Sequence, residues 1–192
     1  VPHKSLYQDR LILVSEGPYS GVSASALGLT DAAWRRLSLL IRIEHECTHY
    51  FTRRVLGAMS NNLLDELAAD CMGLIGATGT YPASWFLHFV GLEAAPVYRA
   101  GGRLENYRGA PPLSDSAFAV LGRLVVAAAE HLEAYLGPRA APEPVDRAAL
   151  LLALTRLSLE DLAAPDAGDR LAAAHSWAGT RVVATPAGHE GA

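Results

Sequence analysis

The chemistry in this chain gathers around His45-Glu46-x-x-His49. Residues four apart on a helix share one face, so both imidazoles can reach a single metal ion. Glu46 is rotated by roughly 100° from His45. It can address a water on that ion without taking a ligand position. The competing reading is an ordinary helix that happens to carry two histidines. It is disfavoured by context, since the motif sits among apolar residues where unpartnered histidines and glutamates are costly to bury.

A catalytic zinc takes three protein ligands and keeps one position open. Asn61-Asn-Leu-Leu-Asp-Glu-Leu-Ala-Ala-Asp-Cys-Met-Gly73 supplies candidates, and sixteen residues separate His49 from Glu66, enough for a turn and a return. Glu66 and Asp70 are again four apart. If Glu66 binds the ion, Asp70 lies where it would accept the outward N–H of a ligand histidine and fix its ring. Asp65 is the rival ligand, but a first-turn acid beside an asparagine cap suits it better.

His-Glu-x-x-His followed by Glu66-Leu-Ala-Ala-Asp70 resembles the gluzincin group of zinc metallopeptidases, over roughly residues 34–75. The resemblance implies one Zn²⁺ held by His45, His49 and Glu66, with Glu46 as general base and Asp70 as partner of a ligand histidine. It implies hydrolysis of a peptide or amide bond in a peptide or protein substrate. The gap from His49 to Glu66 is shorter than in thermolysin-like or alanyl-aminopeptidase-like enzymes, which argues against membership of either. Two alternatives stay open. Two histidines and a carboxylate are also the iron(II) facial triad, and a non-catalytic module could keep the same metal site.

Peptide hydrolysis also wants a donor for the oxyanion. His88, Tyr98, Arg99, Arg103, Tyr107 and Arg108 are the candidates. Arg103 and Tyr107 are preferred, on a Gly-rich loop at 98–109 read as a mobile wall. His88, among aromatics, reads as a buried and hydrogen-bonded core residue. His131 reads as a helix-face residue, and His3, His175 and His189 carry no pattern. Cys47 points away from the metal face. It and Cys71 are expected to be buried free thiols.

Several elements must position these groups. Arg10–Ser15 are β-branched and apolar enough for one strand, placed where a protease would offer an edge to an extended substrate. A Gly/Ser/Pro-rich loop follows over 16–28. Thr30 caps a helix running to about Leu56, and Gly57 stops it. Ser60, Asn61 or Asn62 caps a second helix to about Ile75. Pro82 opens a third, through Phe89. Residues 92–113 are irregular. Further helices are expected over 116–136, 144–157 and 167–177, before a frayed tail from Thr185.

The expected fold is mainly α with a short β element: a zincin-like catalytic helix pair plus C-terminal helices. One domain spans 1–192, with a catalytic core over about 10–110 and a helical part over about 111–180. The composition is 51% hydrophobic and 19% charged with a net charge of −4, which excludes a disordered chain and offers no basic footprint for nucleic acid. The apolar runs are too short to cross a membrane. Two free thiols point to a reducing, cytoplasmic location. The chain starts at Val1, so a removed leader remains compatible with it.

Overall fold

The computed structural model describes residues 12–57, 62–138 and 143–182. The protein is mainly α. Among the described residues seven α-helices follow one another: α1 (Asp31–Phe51), α2 (Leu63–Thr78), α3 (Ala83–Val90), α4 (Asp115–Leu136), α5 (Pro144–Leu154), α6 (Leu159–Ala163) and α7 (Ala167–Val182).

Local signals set the helix ends. The Thr30 hydroxyl accepts from the Ala33 amide at the start of α1. The helix runs out through one π-type turn, Thr52–Leu56, into left-handed Gly57. Asn62 caps α2 by accepting from the Asp65 amide, and left-handed Gly79 ends it. Ser60 and Asn61, the other proposed caps, lie outside the described residues. Pro82 is the residue before α3, one position earlier than expected. Ser114 caps α4. The expected helix over 144–157 stops at Leu154, and Ser158 then caps the short α6 through a reciprocal box with Asp161.

The expected strand over Arg10–Ser15 is not formed in its described part. Ile12, Leu13 and Val14 are irregular and exposed, with no partner strand among the described residues; Arg10 and Leu11 lie outside them. The β pairing among the described residues is a single isolated bridge between Ala94 and Val97. The proposed frayed tail, 185–192, also lies outside them.

α1 and α2 form an antiparallel pair. Ile41 meets Gly73, His45 meets Asp70, and His49 meets Asp65 and Glu66. At Gly73 a Cβ would stand 2.8 Å from the Ile41 carbonyl oxygen, so glycine there sets how closely the helices approach. Trp34 of α1 stacks on Phe89 of α3 and donates its indole N–H to the Val22 carbonyl at 2.7 Å, fastening the N-terminal loop to the pair. One apolar core runs from Tyr19 and Trp34 through Leu67, Phe89 and Leu132 to Leu154 and Leu171. The C-terminal helices therefore share their core with the helix pair. Among the described residues no helix is long and apolar enough to cross a membrane.

Candidate metal centre

The antiparallel register brings His45, His49 and Glu66 together. One ligand atom of each lies within 4.8 Å of the others, and the group is mostly buried. His49 Nε2 is 3.3 Å from Glu66 Oε1, and His45 Nε2 is 3.7 Å from Glu66 Oε2. The two Nε2 atoms face each other at 2.9 Å.

What stands behind each ring explains that facing. His45 Nδ1 is 2.8 Å from Asp70 Oδ1, and His49 Nδ1 is 3.2 Å from Asp65 Oδ1. Both carboxylates are fully buried. An Nδ1–H directed at a carboxylate leaves Nε2 as the lone-pair nitrogen. Two such lone pairs at this separation repel unless a positive charge, a proton or a metal ion, sits between them. The group could hold a metal ion.

Asp65 is the expected first-turn acid beside the Asn62 cap, to which its amide bonds, and its carboxylate turns inward beneath His49. Each histidine thus has its own buried acid.

The Asp70 carboxylate is the hub of a second layer. Oδ1 accepts from the Tyr19 hydroxyl at 2.6 Å and from His45; Oδ2 accepts from the Arg103 guanidinium. The Tyr19 oxygen is also 2.8 Å from His45 Nδ1. Tyr19 is held by its amide bond to the Ser38 hydroxyl and by edge contact with Phe89. Arg42, one turn before Glu46 on α1, donates to the Ser15 and Gly17 carbonyls and so ties this loop down. Sequence reasoning missed Tyr19. Its signal was a lone aromatic in a loop of small residues just upstream of the metal helix.

Arg103 and Tyr107 reach the site on the 3₁₀ turn Arg103–Tyr107. The turn is not a loose wall. Gly102 packs so tightly on the end of α3 that a Cβ there would meet the Val90 carbonyl oxygen at 2.5 Å. Arg103 Nη1 lies 3.3 Å from Glu66 Oε2, and its guanidinium sits over the Tyr19 ring. The Tyr107 hydroxyl lies beside Glu66. The other loop candidates are engaged elsewhere: Tyr98 with the Gly102 carbonyl, Arg99 with Glu93, Arg108 with Glu105 and Asp115.

Charge follows this wiring. Burial opposes ionisation of Asp70, but Arg103 and the bonds from His45 and Tyr19 outweigh it and hold its carboxyl at about 2. Glu66 is lowered in the same way: burial raises it, while the His49 bond and Arg103 lower it further. Burial opposes a charged His49, yet Glu66 and Asp65 prevail and raise its pKa. Burial and the Glu66 charge raise the Tyr107 phenol, which stays protonated at neutral pH.

Glu46 is half-buried on the same helix, next to His45, and makes no hydrogen bond or ion pair with another described residue. Cys71 is buried, as expected. Cys47 is not: it faces outward on α1 and is exposed. His88 is only half-buried, and its carbonyl accepts from Arg99. His131 bonds to the Leu162 carbonyl and His175 to the Tyr135 hydroxyl. His3 and His189 lie outside the described residues.

Fold and site together define a mainly helical protein with a buried His/His/Glu group able to hold a metal ion. The chain belongs to a family of unknown function, DUF7005, whose family model matches residues 1–166. No curated protein and no solved structure matches it.

Proposed function

We propose that this protein is a zinc-dependent hydrolase of peptide or amide bonds. The observation that carries the reading is the pair of opposed Nε2 atoms at 2.9 Å, each ring backed by a buried carboxylate, with Glu66 alongside. Two neutral imidazoles and one carboxylate are a catalytic zinc set, and they leave the ion a net positive charge. A zinc ion held there would polarise the substrate carbonyl and lower the pKa of water to about 7.

The chain's own residues supply the rest. His45 and His49 are fixed in orientation by Asp70 and Asp65. Glu46, with no partner among the described residues, is open to accept a proton from water and to return it to the leaving amine. Tyr107 is a protonated phenol beside Glu66 and donates to the developing oxyanion. Arg103 is a positioning residue here. Its guanidinium is committed to Asp70 and Glu66, where it keeps both carboxylates ionised.

The same three donors suit iron(II), but an oxygenase has no use for a free glutamate at position 46. The test is metal analysis of the purified protein with a cleavage assay on a library of short peptides, for wild type and Glu46→Gln. Stoichiometric zinc is expected in both, with cleavage lowered at least about 100-fold in the variant. Iron with oxygen consumption, or cleavage untouched by the substitution, would overturn the reading.

A further inference from the structure

A second cavity, of about 490 Å³, opens between α4 and the segment that follows α3. Its walls are apolar: Leu92, Tyr98, Leu104, Phe118, Gly122 and Val126. The volume lies in the range of small-molecule sites. None of the metal-centre residues lines it. Leu104 on one side of the Arg103–Tyr107 turn faces this cavity, while Arg103 next to it faces the histidines.

The rim is charged in an ordered way. Arg108 and Asp115 form a closed pair, with the guanidinium over the Phe118 ring at 4.3 Å. Arg123 and Glu130 also line the cavity, and each is exposed and makes no hydrogen bond or ion pair with another described residue. They stand two helical turns apart on α4, about 10.5 Å along its axis. An open guanidinium at one end and an open carboxylate at the other give the apolar slot a direction. An anionic head is attracted to the Arg123 end and repelled from the Glu130 end.

We propose that this cavity is a binding site for a small aliphatic carboxylate, its chain on Leu92, Tyr98 and Val126 and its head group on Arg123. Gly122 faces the slot from mid-helix, with the Leu92 side chain 3.5 Å from where its Cβ would be. The absence of a side chain there keeps the slot open.

Octanoate is the probe, titrated calorimetrically into the full chain, with octan-1-ol as the uncharged comparison. Saturable one-to-one binding of octanoate is expected, with octanol weaker. Gly122→Leu fills the slot and Ala119→Phe, at an exposed position, blocks its mouth; each should weaken octanoate more than tenfold. Ala119→Phe carries the test should Gly122→Leu fail to fold. Arg123→Glu should weaken octanoate about fivefold or more, the upper range of an exposed ion pair, and leave zinc affinity unchanged. That separates the result from the fate of the metal reading. Absence of saturable binding, undiminished binding in both blocking variants, or octanol binding as tightly as octanoate would overturn the assignment.

Discussion

A histidine ligand is only as good as what holds its far nitrogen. His45 turns Nδ1 to the fully buried Asp70, which fixes the tautomer and raises the basicity of Nε2, and His49 Nδ1 stands 3.2 Å from the equally buried Asp65. Asp65 and Glu66 are neighbours in sequence but have different jobs. Glu66 reaches the Nε2 side, where an ion would sit; Asp65 reaches the outward side of one ring. With an ion held between them, removing the first would take away a ligand, while removing the second would loosen one. Glu66→Ala is therefore expected to abolish stoichiometric zinc binding. Asp65→Asn should retain zinc with an affinity about 10- to 100-fold lower, measured by competition with a chelator of known affinity. An Asp65→Asn protein that binds zinc like wild type would sink the assignment of Asp65 as the His49 partner.

At the scale of elements, the helix pair depends on a close approach at Gly73. Alanine is the better helix former, yet at position 73 its methyl would press on the Ile41 carbonyl at 2.8 Å, backbone that moves only with the helix. Gly73→Ala should cost about 1–3 kcal/mol and lower the melting temperature by on the order of 5 °C. Gly76→Ala is the control. It is exposed, and its nearest neighbour is the flexible Glu44 side chain, so it should be neutral or slightly stabilising. Equal melting shifts in the two variants would show that helix spacing is not set at Gly73. The pair was readable in the sequence because caps, stops and the four-residue spacing of ligands are local signals. Arg103 and Tyr107 were found by residue type, but their placement depends on Gly102 packing against Val90 and Gly91, a contact between segments that no local pattern encodes. Tyr19 depends likewise on Ser38 and Phe89. The strand expected over Arg10–Ser15 is missing from its described part for the converse reason: β-branched composition makes a strand only where a partner strand exists, and Ile12–Val14 have none among the described residues. Cys47 was misjudged because the outer face of α1 is less covered than its apolar sequence implies.

For the whole molecule, the centre joins four separated segments: the Tyr19 loop, α1, α2 and the Arg103–Tyr107 turn. Whatever charge occupies it is therefore linked to global stability. In chelator-treated protein the sign follows from the pKa shifts. The folded pKa of His49 is raised above its ordinary 6.5, so its contribution is fully present below that value and is lost as pH rises through the folded pKa. Asp70 is lowered from 3.8 to about 2, and Glu66 is lowered too; their contributions are present above their ordinary values and are lost as pH falls through the folded ones. The metal-free centre therefore stabilises most on the mildly acid side of neutrality. Zinc reverses the upper limb, because it must displace the proton from a ligand histidine, and its stabilisation grows as that proton leaves. Melting temperatures measured at pH 5.5 and pH 8, in chelator and in excess zinc, should diverge: the increment due to zinc is larger at pH 8. An increment independent of pH would mean that no histidine proton is exchanged for the ion, and His45 and His49 would then not be its ligands.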